Sequence, residues 1–335
     1  MLKKLTLSWA LHQKRTALIL SALALLFPLF AGNDPYVVGI GVMCGIYVIL
    51  SLGLNLITGC MGIVSIGHAA FFGIGAYTAA LLSLNLHWNF LFTFLAASLT
   101  SALFGLLLGL PTLRLSGKYL PIVTLSFCEI ARIVETNERW LTRGPLGLPG
   151  IPGFSLFGLR LKSPTQCYYL VLVLCALAIY VIHSIMNSRT GRVITAIKND
   201  EIAAESMGIE LSRYKLLIFS VSSIFAGLAG AFYAHYVGFI DPSSFSADQS
   251  IQILSMIILG GMGNIYGSIL GALSLTALPE LLRPLLSMRQ VLYGALLVVM
   301  VLLRPQGILG GINLRHLKQQ HENPAETAEE EEGTP

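Results

Sequence analysis

The chain has 335 residues, of which 55% are apolar and only 11% carry a charge, against about 25% in an ordinary soluble domain. This composition leaves too few polar side chains to cover the surface of a soluble globular protein, and it has too much apolar surface for a disordered chain. It therefore predicts a polytopic membrane protein. The formal net charge is +4, and no basic stretch is interleaved with aromatic residues, so no nucleic-acid partner is expected.

Apolar segments follow one another along the chain and predict an all-α helical bundle with about ten transmembrane segments, in a range of about eight to eleven. The predicted segments are 16–31, 36–58, 66–84, 89–110, 119–135, 168–186, 214–236, 250–262, 267–282 and 290–303. The pair 250–262 and 267–282 is shorter than the roughly 20 residues that a crossing needs. A glycine-rich stretch separates the two, which are predicted to form either one long broken helix or two short, tilted helices.

Lysine and arginine residues mark the predicted cytoplasmic side. They occur at the N-terminus, near 111–118, in the loop 187–213 and after the last segment, so both termini are predicted to be cytoplasmic (N-in, C-in). The loop 137–167 is predicted to be external, with Cys167 open to labelling from outside. Its Gly- and Pro-rich run 144–153 excludes a regular helix and predicts a shaped, rigid platform.

Motifs for catalysis and for metal binding are missing from the sequence. The five cysteines show no CxxC spacing and are predicted to be small buried apolar residues rather than disulfides or metal ligands. No nucleophile elbow, zinc-protease helix or phosphate-binding loop is present. The chain is therefore predicted to be no enzyme and to bind no cofactor, and any ATP that drives it must be hydrolysed by another subunit.

The loop 187–213 carries the most informative polar pattern. Asp200 and Glu201 are placed where a helix would begin, and Gly208 is placed where it would end. The predicted helix 200–207 has one small apolar face made of three residues, with Glu201 and Glu205 as an i,i+4 pair beside it. That face consists of Ala203, Ala204 and Met207. A docking groove on another protein is favoured over anionic lipid, because the helix is acidic and has little bulk.

Several stretches resemble the membrane subunits of branched-chain amino-acid ABC importers of the LivM type. The likeness runs in order from about residue 36 to 310, through 53–59, 65–79, 114–125, 144–152, 191–213, 233–236, 259–264 and 304–307. The resemblance implies a lipid-embedded permease half that pairs with a second permease of the LivH type. It also implies two ATPase subunits of the LivG/LivF type and an extracytoplasmic amino-acid-binding protein.

The resemblance also implies roles for particular residues. The loop is similar to the coupling motif of ABC importers, but Ile202 stands where that motif has a glutamate. The candidate ATPase-coupling residues are Arg192, Asp200, Glu201, Ala203, Ala204, Glu205 and Gly208. The candidates for docking the binding protein are Arg139, Arg143, Gly144 and Pro145.

Polar residues inside apolar segments are costly in lipid and usually face the interior of the bundle. His235 is predicted to be a neutral histidine bonded to backbone, whereas His68 is either that or a group beside the substrate path. Arg132 is spaced to pair with either Glu129 or Glu135, and internal neutralisation is favoured over substrate contact. The substrate-path candidates are Ser65, Gly67, His68, Gly75, Tyr77, Gly260 and Gly261; for the small residues among them, close helix packing is the simpler explanation.

The sequence therefore predicts a permease subunit that moves branched-chain amino acids by alternating access, in the cytoplasmic (inner) membrane of a bacterium. The predicted organisation is an N-terminal end and first helix (1–35), a permease domain (36–312) and an acidic, disordered tail (313–335). Two alternatives stay open: a permease for urea or short amides, and an ion-coupled secondary transporter in which an acidic residue such as Glu129 titrates.

Overall fold

The computed structural model describes residues 13–30, 32, 34–112, 119–156, 159–161, 163–281, 294, 298, 302 and 307–309. Most of the predicted last segment 290–303, the basic loop near 114–118 and the acidic tail 313–335 lie outside the described residues.

Helices make up most of the described chain, which confirms the prediction of an all-α fold. The described residues form twelve α-helices in this order: α1 Gln13–Phe30, α2 Pro35–Asn55, α3 His68–Asn85, α4 Phe90–Thr112, α5 Leu120–Asn137, α6 Arg139–Thr142, α7 Pro164–Asn187, α8 Arg189–Asn199, α9 Glu201–Ser206, α10 Leu211–Val237, α11 Ala247–Gly260 and α12 Ile265–Leu281. At its end, α2 widens into a π turn over Leu56–Cys60.

Four helices are long and apolar enough to cross a membrane. They are α2 together with its π turn, the part of α4 up to Leu110, α7 and α10; α11 is apolar but shorter. The start of α2 follows ordinary capping rules, since the helix begins with a proline after Asp34, whose carboxylate accepts a hydrogen bond from the Tyr36 amide at 3.0 Å. The count of about ten crossings and the cytoplasmic placement of both termini stay predictions.

The core of the bundle is built around α10, which packs along α3 and α4 and also contacts α2. Glycines make this close approach possible. A Cβ at Gly75 of α3 would collide with the backbone of Gly227 in α10, and one at Gly230 would collide with the carbonyl of Phe72. These small residues therefore serve helix packing, as the sequence predicted.

The segments 250–262 and 267–282 form two helices that fold back on each other, not one broken helix. A Cβ at Gly260 would collide with the carbonyl oxygen of Gly267, and one at Gly271 would collide with that of Met256. The two contacts place α11 and α12 antiparallel with their backbones touching. Gly261, with φ of +115°, ends α11 and begins the tip of this hairpin, residues 261–264.

The Gly- and Pro-rich run 144–153 forms no regular helix, as predicted. It begins with a 3-10 turn over Gly144–Leu146 and continues into β1 (Leu148–Pro149), which pairs antiparallel with β4 (Phe239–Ile240) just after α10. A second short pair, β2 (Ser155–Leu156) with β3 (Leu159–Arg160), follows. The amide of Ile151 adds a hydrogen bond to the Gly238 carbonyl at 3.1 Å, so the loop is fastened to the end of α10.

The crossing of α3 and α10 can be tested through Gly75. We expect Gly75→Val to lower the free energy of unfolding by about 1–3 kcal/mol, because its side chain has only backbone to push against. The measurement is the thermal unfolding midpoint of the purified chain in detergent. Gly153→Val is the matched control, since a Cβ there meets nothing within 4 Å. Equal midpoints for the two variants would contradict the packing described for this crossing.

Candidate functional site

The polar loop 187–213 contains two helices, of which the sequence anticipated only the second. The first, α8, begins directly after α7 and buries Ile194 and Ile197, which lie on one face at i,i+3 spacing. That spacing was the available signal for α8. The loop is therefore a folded element that packs against the rest of the bundle.

The second helix, α9, has the ends that the sequence predicted. The Asp200 carboxylate accepts hydrogen bonds from the amides of Ile202 at 2.9 Å and Ala203 at 3.0 Å, which is N-terminal capping. After α9, Gly208 adopts φ of +80°, and its amide donates to the Glu205 carbonyl at 2.9 Å. The left-handed conformation at Gly208 closes the helix end and favours glycine there.

The prediction of one apolar docking face on α9 is wrong in one respect, because one of its three residues is buried and the other two are exposed. Ala204 is only 4% exposed and packs against its own chain, whereas Met207 is 84% exposed, and Ala203 and Ile202 are also exposed. The physical reason is that α9 packs against α8 and α10 on the Ala204 side, where Glu201 also forms a salt bridge of 2.7 Å with Lys215 of α10. The surface left for a partner is thus Ile202, Ala203 and Met207.

The end of α8 meets the π turn of α2 and the tip of the α11–α12 hairpin. The Lys198 ammonium donates a hydrogen bond to the Gly59 carbonyl, in the π turn of α2, at 2.7 Å. The amide of Gly263, at the hairpin tip, donates to the side-chain oxygen of Asn55 at 2.8 Å. We name these four residues (Asn55, Gly59, Lys198 and Gly263) the three-way junction.

The three-way junction supplies hydrogen-bond partners to two backbone groups, the Gly59 carbonyl and the Gly263 amide, that have no regular helical partner. A π turn disturbs the regular i to i−4 bonding of a helix, and away from bulk water the freed groups need other partners. Gly59 leaves no room for a side chain, because a Cβ there would collide with the Asn55 side chain and the Gly263 amide. Asn55 and Lys198 were not among the predicted site residues, although an asparagine within the apolar run 36–58 was a usable signal.

Three of the substrate-path candidates lie together where α3 begins. The amide of Ile66 donates to the Thr124 hydroxyl of α5 at 3.0 Å, and a Cβ at Gly67 would lie 2.6 Å from the Thr124 carbonyl. Ser65 is buried beside them and accepts a long hydrogen bond, 3.5 Å, from the Gly67 amide. His68 is buried, and its Nε2 has no hydrogen-bond partner among the described residues.

The remaining candidates do not join this cluster. Gly75 lies at the crossing of α3 with α10, and Gly260 and Gly261 lie at the hairpin of α11 and α12. Tyr77 is buried about two and a half turns along α3 from His68. The seven residues therefore occupy separate places and do not line one site.

The backbone hydrogen bond predicted for His235 is confirmed, whereas its neutral state stays a prediction. His235 is buried near the end of α10, with Nδ1 2.7 Å from the Pro152 carbonyl oxygen and Nε2 3.0 Å from the Thr93 hydroxyl. Because a carbonyl only accepts hydrogen bonds, Nδ1 carries a proton. The ring thus fastens the platform loop to α10 and α4.

The predicted ionic triplet in α5 is confirmed for one of its two pairs. Arg132 forms a salt bridge of 2.8 Å with Glu129, and both side chains are partly exposed. Glu135 is on the buried side of the helix, 7% exposed, and its Oε2 has no partner among the described residues. Arg132 therefore does not neutralise Glu135 by direct contact, because its guanidinium is held by the other carboxylate.

The four residues predicted to dock a binding protein lie around the 3-10 turn that follows α6. Arg139, Arg143 and Pro145 are exposed, whereas Gly144 is buried with φ of +59°. The Thr142 hydroxyl donates toward the carbonyls of Glu135 and Glu138 at 2.6 and 2.7 Å. Trp140, which is 82% exposed, and Leu146 also project here, so the surface is apolar as well as basic.

A cavity of about 610 Å³ lies beside this loop. Its lining comes from the turn between α3 and α4, from the residues around β2 and from His235. The aromatic residues among the lining are Trp88, Phe90 and Phe154. Phe90 and Phe154 meet edge to face with their centroids 4.9 Å apart.

The comparisons with known proteins agree with one another in the kind of protein that they match. A family model described as branched-chain amino acid transport system / permease component matches residues 36–302. The chain is 37% identical over 320 residues to the high-affinity branched-chain amino acid transport system permease protein LivM of Salmonella typhimurium, covering 89% of this chain and 75% of LivM. It has the same identity and coverage with LivM of Escherichia coli.

A second relative is more distant. The chain is 27% identical over 284 residues to the permease protein LivH of Salmonella typhimurium, a match that covers 79% of this chain and 91% of LivH. No solved structure matches the chain.

The capping of α9 gives a direct test of this local structure. We expect Asp200→Ala to weaken α9 by about 1 kcal/mol, which corresponds to roughly fivefold faster amide hydrogen exchange over 202–206. The measurement is hydrogen–deuterium exchange of the purified chain in detergent. Glu205→Ala is the matched control, because it removes the same charge from α9 but no capping bond. Equal exchange in the two variants would show that Asp200 does not hold the helix start.

Proposed function

The chain belongs to the permease family of branched-chain amino-acid transport systems, and we propose that it is one membrane-spanning subunit of an ATP-driven importer of branched-chain amino acids. In this proposal it pairs with a LivH-type permease in the inner membrane of a bacterium. Two ATPase subunits bind on the cytoplasmic side, and an extracytoplasmic binding protein delivers the substrate. The similarity to LivM along 89% of the chain supports this assignment.

The observation that carries the proposal is the exposed side of α9. Ile202 and Met207 project from a short, capped helix that is too polar to enter lipid. Two large apolar side chains on such an element favour a groove on another protein. A groove on an ATPase subunit accounts for this surface, because the chain itself contains no nucleotide-binding motif.

The three-way junction supports a route by which such a subunit acts on the membrane helices. A displacement of α9 moves the end of α8, since only Asp200 separates them. Lys198 at that end is bonded to the π turn of α2, and the π turn touches the tip of the α11–α12 hairpin. Alternating access then arises because movement of α9 shifts α2 and the hairpin together.

One of the alternatives changes its candidate residue. An ion-coupled secondary transporter was predicted to use an acidic residue such as Glu129 as its titrating group. Glu129 is paired with Arg132 and partly exposed, so this alternative now rests on Glu135, which is buried and has no partner for Oε2 among the described residues; it requires uptake without ATP. A permease for urea or short amides shares the family's fold, and the test of it is direct competition of each solute with labelled leucine.

The docking role of α9 can be tested at Met207. We expect Met207→Glu to leave the chain in the membrane and bound to its permease partner. It should weaken ATPase association by about tenfold or more, because a carboxylate would lose its water inside an apolar groove. The measurements are co-purification of the ATPase subunits and substrate-stimulated ATP hydrolysis in the reconstituted complex.

Trp140→Glu is the control for this experiment. Trp140 is as exposed as Met207 but lies in the loop predicted to be external, so ATPase binding should be normal. If Met207→Glu also binds the ATPase subunits normally and keeps stimulated hydrolysis, the segment 200–208 is not the coupling element.

The predicted orientation can be tested with single cysteines in a cysteine-free chain. Cys167 itself is buried and is therefore a poor target for labelling, contrary to the sequence-based expectation. Cysteines at Leu146 and Met207 are better, because both positions are highly exposed. In intact cells we expect an impermeant maleimide to label Leu146→Cys, and Met207→Cys only after permeabilisation. The reverse pattern would invert the topology.

A further inference from the structure

Two buried polar groups in the membrane bundle lack hydrogen-bond partners and lie near each other. Oε2 of Glu135 and the hydroxyl of Tyr77 are each without a partner among the described residues, and their side chains are 7% and 5% exposed. A Cβ at Gly73 would lie 2.7 Å from Glu135 Oε1. Gly73 is one turn before Tyr77 on α3, so the carboxylate and the phenol face the same side of that helix.

An aromatic wall adjoins the two groups. The ring of Phe245 lies 5.8 Å from that of Tyr77, and its Cβ and Cγ would be 3.0 Å from a Cβ at Gly73. Phe72 and Tyr233 pack against Phe245 with centroid distances of 5.2 and 6.2 Å. Carboxylate, phenol oxygen and aromatic rings thus converge, and all of them are groups that attract a cation.

The buried carboxylate has no cation of its own. The nearest arginine on α5, Arg132, is committed to Glu129, and no salt bridge to Glu135 forms within the described part of the chain. A buried carboxylate without a partner is costly in a membrane protein, and such residues often mark the path of a transported species. A purely structural role gives no reason for leaving both Glu135 and Tyr77 unpaired.

We propose that Glu135 and Tyr77 form a subsite for the ammonium group of the transported amino acid. This inference rests on the proposed function, because it assigns to that transport reaction a place where the substrate is held. The ammonium group carries three donors, which the Glu135 carboxylate, the Tyr77 oxygen and an aromatic face can accept. The substrate's aliphatic side chain then lies against Phe72 and Phe245.

The occupancy is transient. The subsite offers one carboxylate and one hydroxyl to the ammonium group. These partners replace hydrogen bonds that the ammonium group made to water, and they are too few to trap the substrate. Gly73 is required because a larger residue there would displace the carboxylate. Asp241, whose Oδ1 caps the 3-10 turn that ends in Phe245 by accepting from the Ser243 amide, fixes the aromatic wall.

The test uses the full complex of both permeases and the ATPase subunits in proteoliposomes, with binding protein and radiolabelled L-leucine. We expect Glu135→Gln to lower leucine uptake by about tenfold or more, because hydrogen bonds to charged groups contribute at this level. Tyr77→Phe should lower uptake by a smaller factor. Both variants should keep ATPase association and binding-protein-stimulated hydrolysis, which shows that the complex is assembled.

Glu138→Gln is the matched control. It removes a carboxylate charge just after the same helix, but an exposed one that accepts a hydrogen bond from the Trp140 indole N–H, which glutamine can also accept, so uptake should stay within about twofold. If leucine uptake by Glu135→Gln and by Tyr77→Phe also stays within twofold of the unaltered complex, the proposed subsite is wrong and the proposed function stands. If the unaltered complex takes up no leucine on ATP addition, the proposed function itself fails.

A second measurement needs no variant and decides the case if Glu135→Gln does not assemble. A photoreactive diazirine analogue of leucine is supplied to the unaltered complex during turnover, and the labelled peptides are identified by mass spectrometry. Label within 71–77, 131–137 or 242–246 that excess leucine removes supports the subsite. Competable label confined to other segments overturns it.

Discussion

The hydrogen bond from Lys198 to the Gly59 carbonyl is the interaction on which the proposed coupling mechanism depends. A break in a membrane helix exposes backbone groups that lipid cannot satisfy, so a break persists only where protein supplies the partners. Here the partner comes from α8, the helix next to the proposed docking helix α9, and not from another membrane helix. The same bond that stabilises the π turn therefore joins the polar loop to the transmembrane core.

This arrangement separates two tasks along the bundle. The three-way junction lies where α2 ends and near the docking helix, whereas Tyr77 and Glu135 lie farther along α3 and α5. His68 is between them, with its Nε2 3.4 Å from the position of a Cβ on Gly53 in α2. Because α3 contacts α10, α4 and α5, a shift of α2 and the hairpin can reach the proposed substrate subsite through packed helices.

Much of the fold follows from the sequence, because composition and local chemistry decide it. Long apolar runs give the helices, Asp200 and Gly208 give the ends of α9, and the run 144–153 excludes a helix. What the sequence does not give is the direction in which a side chain faces when several helices compete for it. Ala204 was predicted to lie on the face that enters a partner's groove, but it is buried against its own chain, on the side of α9 that packs on α8 and α10. Arg132 had two carboxylates within reach, and only packing shows that it binds Glu129 and leaves Glu135 unpaired.

The most direct test of the central claim is the amount of leucine taken up for each ATP hydrolysed when Lys198 is altered. The measurement uses the full reconstituted complex with Lys198→Met and Lys198→Arg, the second of which keeps a charged donor. We expect Lys198→Met to bind the ATPase subunits and hydrolyse ATP but to lower this ratio by about tenfold, because the Gly59 carbonyl loses a charge-assisted hydrogen bond. Lys198→Arg should stay near the unaltered complex. An unchanged ratio in Lys198→Met, with assembly intact, would contradict the mechanism.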